Sequence, residues 1–224
     1  MAKRRRRTRP AARRKQRRKV VRGRSHRLAW LLAVLVALVV GYAAIHRLRE
    51  PAPGRSRQLS MEQARAINAA IPFVEGAVRP ARPYRFKGTP AARLQATECL
   101  ATVALYEAGD DEPGQKAVIQ VVLNRVRSPG FPKTVCGVVY QGADRKTRCQ
   151  FSFACDGSRQ RRPESRGWRA ARGIAREALA GTVDPKVGTA THYHTDWIVP
   201  YWSSSLDKIA KVHSHIFYRT RRDD

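Results

Sequence analysis

Residues 92–127, ARLQATECLATVALYEAGDDEPGQKAVIQVVLNRVR, decide the architecture. In the first half, Leu100, Val103 and Ala104 recur at helical spacing, and the same period brings Glu107 onto that face in the last turn. Gly109 suits the position just past a helix end, so the spacing predicts a helix over 92–108. The second half, 114–127, is apolar around most of its circumference and predicts a central, buried helix.

Moving outward, 165–180 places Trp168, Ala171, Ala175 and Ala178 on one stripe before Gly181, a third helix. Between the second and third helices lie Pro129-Gly130-Phe131-Pro132, 136–140 and 149–153, too short and interrupted for long strands; they predict a loop-rich wall. Residues 189–194 and 198–202 are β-branched and aromatic, and 206–212 reads as a last short helix before His215-Ile216-Phe217-Tyr218. No internal repeat is visible. The expected class is α+β, mostly helical.

On the N-terminal side, Ser60 with Gln63 three residues on forms a capping box, predicting a short helix to Ala70 that Pro72 stops. Residues 74–90, with Pro80, Pro83 and Pro90, are a linker or a strap laid over the domain, and 51–59 is an extended tether. Farther back, 28–45 (LAWLLAVLVALVVGYAAI) carries no charge and as a helix reaches about 27 Å, the thickness of a hydrocarbon core. Trp30 and Tyr42 sit near its ends, where interfacial aromatics belong. The resulting scheme is a basic cytoplasmic tail (1–27), a transmembrane signal anchor (28–45), a tether with a short helix and proline-rich linker (46–90) and a catalytic domain (91–221). A cleaved signal peptide, suggested by Gly41-Tyr42-Ala43, and a core helix are the competing readings of 28–45.

The charge follows this scheme. Of 224 residues, 45 are Lys or Arg and 17 Asp or Glu, for a net +28, of which the first fifty carry +16 and the rest +12. The arginine-rich tail precedes the apolar segment, which by the positive-inside rule sets the N-terminus in the cytoplasm of a bacterial inner membrane, with the tail near anionic lipid. Everything after residue 50 is then in the periplasm or wall space. The tail lacks interleaved aromatics to stack on bases, so no nucleic-acid partner is expected. The basic remainder suits a polymer bearing free carboxylates. Cys99, Cys136, Cys149 and Cys155 all follow the apolar segment, where oxidation is permitted; their pairing stays open among three complete patterns.

An acid on the apolar side of an amphipathic helix is costly when ionised, so burial should keep Glu107 protonated and able to donate, as a general acid for glycoside cleavage must. The plain alternative is a solvated carboxylate in a frayed last turn. His192 and His194 alternate on one side of a strand and could hold a metal, or simply pack; no acidic or cysteine cluster accompanies them, and neither a metal nor another cofactor is expected. Ser152 lies in QFSF rather than a nucleophile elbow.

Cys99-Leu100, Tyr106-Glu107-Ala108, Gly114-Gln115-Lys116-Ala117-Val118 and 121–126 (VVLNRV) resemble the opening signature of the SleB/CwlJ-type cell wall hydrolases. Later blocks fall in that family's order: 131–141 (FPKTVCGVVYQ), 149–152 (CQFS), 155–157 (CDG), 190–194 (ATHYH) and 215–218 (HIFY). The resemblance implies a lysozyme-like fold, peptidoglycan as substrate, and cleavage of the β-1,4 bond between N-acetylmuramic acid and N-acetylglucosamine. Glu107 falls at the family's catalytic acid, implying lytic transglycosylation with one carboxylate. A hydrolase would add a second, from Asp110, Asp111, Glu112 or Asp156. Tyr140, Gln150, Ser152 and Tyr193 are expected to line the substrate cleft or to tie loops to the core. Two departures stand out: the loop after Glu107 is one residue shorter than the family's, and His213 stands where glycine is expected. The rival readings are a zinc peptidoglycan amidase on His192 and His194, and a wall-binding module without turnover.

Overall fold

A computed structural model describes residues 12–49, 59–145, 149–160 and 166–221. The chain divides into two compact units, 1–58 and 59–224. The first holds one helix, α1 (Ala12–Arg49), whose stretch His26–Ala43 is long and apolar enough to cross a membrane by length and composition. Its large apolar side chains, Trp30 to Tyr42 among them, are exposed. The basic tail falls partly outside the described residues, at 1–11.

The second unit opens with α2 (Met61–Ala70), whose N-cap Ser60 and Gln63 make the expected reciprocal capping box. Helix α3 (Pro90–Ala108) starts two residues before the predicted point because Thr89 caps the amide of Ala92 and Pro90 takes the first turn, where a missing N–H costs nothing. Helix α4 (Glu112–Arg127) likewise begins two residues earlier than the periodicity implied, with Pro113 in its first turn. Between them Gly109 adopts φ +54°, and Gln115 Nε2 donates to the Gly109 carbonyl, tying the start of α4 to the end of α3.

Leu100, Val103 and Ala104 of α3 pack against Val118, Ile119, Val122 and Leu123 of α4 in the main core, with Ile174, Ala175 and Leu179 of α6 (Arg166–Ala180). The wall between α4 and α6 is loop-rich as expected, except that 135–139 closes into a short helix, α5 (Val135–Val139), capped by Thr134. Two disulfides settle the pairing left open by the sequence. Cys99–Cys136 joins α3 to α5 across 37 residues, a closure that restricts the unfolded chain by about 4 kcal/mol in the chain-entropy picture, and Cys149–Cys155 closes a small loop.

A three-stranded antiparallel sheet, order β1-β3-β2, finishes the fold: β1 (His192–Thr195), β2 (Leu206–Val212) and β3 (His215–Thr220). The predicted helix over 206–212 is therefore wrong. The pairing register shifts between Lys208 and Ala210, leaving Ile209 as a bulge, and this puts Lys208, Ile209 and Val212 inside, a spacing that mimics a helical stripe. The predicted β-like run at 198–202 is a loop leading into a short turn of helix at Ser203–Ser205. His213 turns the β2–β3 hairpin at φ +49°, among the described residues the one non-glycine with a left-handed backbone, a conformation that glycine adopts without strain.

Of the two forms open for 74–90, the structure adopts the strap. Val74 N–H donates to the Lys208 carbonyl and Phe86 N–H to that of Leu179; Tyr84 and Phe86 pack on the core. At Gly188 (φ +45°) an added Cβ would lie 2.1 Å from the Arg79 carbonyl, so the strap crosses where only glycine fits. Helix α2 is stitched down as well: the buried Lys208 ammonium donates to the carbonyls of Asn68 and Ile71, 2.7 Å each, beneath the Phe73 ring.

Candidate active site

The apolar stripe of α3 carries its last member, Glu107, to the helix's C-terminal end, partly buried as the periodicity predicts. Strand β1 meets it there. Tyr193 donates its hydroxyl to Glu107 Oε2 at 2.9 Å, and its own ring is held against Phe217 and His215 of β3. Burial raises the Glu107 pKa above the ordinary carboxylate value; the Tyr193 hydrogen bond and the Arg125 charge pull it back, while the Asp156 charge adds to the rise. Burial, with Glu107 beside it, pushes Tyr193 well above its ordinary value, so its hydroxyl stays a donor.

Arg125 is the site residue that sequence reasoning missed. It is only 2% exposed, on α4, with its guanidinium 5.4 Å from the ring centroids of both Phe131 and Phe151, and Nε donating to the Thr191 carbonyl at 2.6 Å. Nη1 finds no hydrogen-bond partner among the described residues. Burial lowers its pKa to about 10, which still leaves it cationic at neutral pH. The signal was present: an arginine inside GQKAVIQVVLNRVR, on a helix buried nearly all round, has to face a compensating environment.

Around this centre the wall is aromatic. Tyr106 stacks on Phe153 at 4.6 Å, and Tyr140 meets Phe153 edge-on at 6.2 Å with the Arg159 guanidinium 4.8 Å from the Tyr140 ring centroid. Gln150 and Ser152 are exposed within the loop that Cys149–Cys155 closes. Thus the structure brings Tyr193 to Glu107, whereas Tyr140, Gln150 and Ser152 occupy the wall without a described contact to the carboxylate.

The acids differ in circumstance. Asp156 accepts from the Ser158 amide at 2.8 Å, the turn role its sequence suggested, while its charge still acts on Glu107. Asp110 is exposed, Asp111 pairs with His213 Nδ1 at 2.7 Å, and Glu112 pairs with Lys116. The loop after Glu107 and the His213 turn thus touch each other.

His192 places Nδ1 3.0 Å from Thr191 Oγ1 and packs between Phe131 and Trp202; burial, then Arg125, lower its pKa to about 4, so it is neutral. His194 has both ring nitrogens engaged, Nδ1 with the Thr195 carbonyl and Nε2 with the Tyr218 hydroxyl. No group of three or more His, Cys, Asp or Glu close enough to hold a metal ion occurs among the described residues. The arrangement suits proton transfer by one carboxyl in a partly dry, aromatic-lined corner.

Known proteins resemble part of this chain. Residues 109–218 match the family model described as Cell Wall Hydrolase. This part of the chain resembles cell wall hydrolase domains. Glu107 precedes the matched span by two residues, so its role rests on the geometry above. The domain is similar to the spore cortex-lytic enzymes of Halalkalibacterium halodurans (32% identical over 120 residues, 53% of this chain and 33% of the relative) and Bacillus cereus (30% over 146 residues, 63% and 52%). The chain thus spans a third to a half of those curated relatives. Among solved structures, the catalytic domain of the germination-specific lytic transglycosylase SleB from Bacillus anthracis is 29% identical, with a TM-score of 0.47, over 60% of this chain and 99% of that one.

Proposed function

We propose that this protein is an enzyme that cuts peptidoglycan glycan strands at the β-1,4 bond between N-acetylmuramic acid and N-acetylglucosamine, by lytic transglycosylation with Glu107 as acid and then base. The observation that carries the reading is the double character of the Glu107 environment. Burial favours the neutral carboxyl that must protonate the glycosidic oxygen as the C1–O bond breaks. The Tyr193 hydroxyl and the Arg125 charge then limit the cost of the carboxylate left behind, which takes the proton from the muramic acid 6-hydroxyl as that oxygen closes onto C1. The single proton returns to Glu107 and the cycle balances. The similarity to spore cortex-lytic enzymes supports the wall polymer as substrate.

A second reading, hydrolysis with Asp156 as the partner carboxylate, is favoured by one observation: its charge is felt at Glu107. Mass spectrometry of the products from purified sacculi separates the two. Anhydromuramyl ends support transglycosylation, and reducing ends support hydrolysis. Loss of stem peptides, or activity that a chelator abolishes, would instead support the amidase; the engaged nitrogens of His194 speak against it. Sacculus binding without any release identifies a wall-binding module.

We further propose that α1 anchors the protein in the inner membrane with its N-terminus in the cytoplasm, supported by the apolar stretch within α1 and the basic residues ahead of it. Protease added to intact spheroplasts should remove the domain and spare an N-terminal tag. Protection of the domain overturns the orientation.

A further inference from the structure

A groove of about 670 Å³ lies along the strap, lined by Arg79, Arg82, Arg127, Arg219 and Arg221 together with Asn124 and Thr191. Its lining contains no carboxylate. Arg219 and Arg221 share Asp207 outside it, at 3.1 and 3.7 Å. Arg79, Arg82 and Arg127 pair with no carboxylate among the described residues.

Arg127 is held in place by neutral acceptors: Nη2 donates to Asn124 Oδ1 at 3.1 Å, and Nη1 to the carbonyls of Arg82 and Pro83. Burial lowers the Arg127 pKa, the neighbouring Tyr84 raises it, and the Arg82 charge lowers it again. Bringing guanidinium groups together without a counter-ion is unfavourable unless an anion visits, and their planar forks match a carboxylate.

Two of the three uncompensated arginines belong to the strap, which precedes residues 109–218 and is fixed over Gly188. The groove and the candidate active site are linked through Thr191. Thr191, in its lining, immediately precedes β1 and stands two residues before Tyr193, roughly 7 Å of extended chain, and the Thr191 carbonyl accepts the Arg125 Nε hydrogen bond.

We infer that this groove is a second substrate site that binds the carboxylates of the stem peptides on the strand being cut, so that the strap selects peptide-bearing glycan. The inference rests on peptidoglycan being the substrate. A stem peptide hangs from the same muramic acid whose bond lies at Glu107, so one strand reaches both places. A phosphate-rich wall polymer would need to approach as a separate molecule.

The test uses the full-length chain in detergent and the double variant Arg79→Gln/Arg82→Gln, both side chains being exposed. Binding is read by co-sedimentation with intact sacculi, with sacculi whose stem peptides have been removed by an amidase, and with sacculi stripped of phosphate polymers. The expected result is that the variant binds intact sacculi roughly fivefold to tenfold more weakly, that peptide-free glycan is bound equally by both proteins, and that phosphate stripping changes nothing. An unchanged affinity for intact sacculi, or an equal loss with and without stem peptides, overturns the inference. A loss that disappears with phosphate stripping assigns the groove to a phosphate polymer instead. Product release is measured alongside: if the unmodified protein releases nothing, the cleavage reading fails, and co-sedimentation still judges the groove.

Discussion

Glu107 and Asp111 are four residues apart, and the protein treats them in opposite ways. Glu107 ends a buried stripe, its carboxyl covered by Tyr193 and within reach of Arg125, and its pKa rises. Asp111 sits in the turn after the helix, paired at the surface with His213. Residue type is nearly the same in both; burial and neighbours favour the protonated form of Glu107, while Asp111 is tied into the loop by His213.

The sharpest way to break this contrast is Glu107→Gln, which should slow glycan release by roughly 10²-fold to 10⁴-fold in a sacculus turbidity assay. The same change should raise the thermal midpoint at neutral pH. A carboxyl with a raised folded pKa weakens the fold as pH climbs from its ordinary value through the folded one, and Gln removes that loss. If Asp111→Asn were equally damaging, the contrast would be empty.

Next comes Arg125→Met, expected to cost roughly 10²-fold in rate by removing a positive charge from the reacting carboxylate. Activity that needs protonated Glu107 falls as pH rises through its pKa. Without the Arg125 charge that pKa rises further, so the alkaline limb of the pH profile should move upward, while Arg125→Lys should hold it in place. A limb that stays put in the Met variant removes Arg125 from the site.

Tyr193→Phe should cost about tenfold, one hydrogen bond to a charged group, and shift the limb the same way to a lesser extent. Smallest of all is His213→Gly. Relief of the left-handed backbone and loss of the exposed hydrogen bond to Asp111 oppose each other, each about 1 kcal/mol, so turnover should stay within about twofold and the melting curve should barely move.

Legibility from sequence followed the strength of local signals. Helices α2, α3, α4 and α6 were readable because caps, glycines and apolar periodicity agreed, and only the prolines at the starts of α3 and α4 displaced their boundaries. Strand β2 was misread because a bulge at Ile209 gives a sheet residue pattern the period of a helix. Glu107 was legible because it broke an apolar face. Arg125 was not, since its partners Phe131, Phe151 and Thr191 are remote in sequence and come together only when the loops fold over α4. Tyr193 was named for the cleft, yet its hydrogen bond to Glu107 depends on sheet register, which no local pattern encodes.

The ammonium of Lys208, capped by two carbonyls from the stretch just before the strap, also sets how far the molecule can be trimmed. A recombinant fragment cut to begin at residue 91 would strip those oxygens away and leave a bare cation lodged in β2. Expression work should therefore start no later than Leu59, upstream of residue 109, where the family match begins.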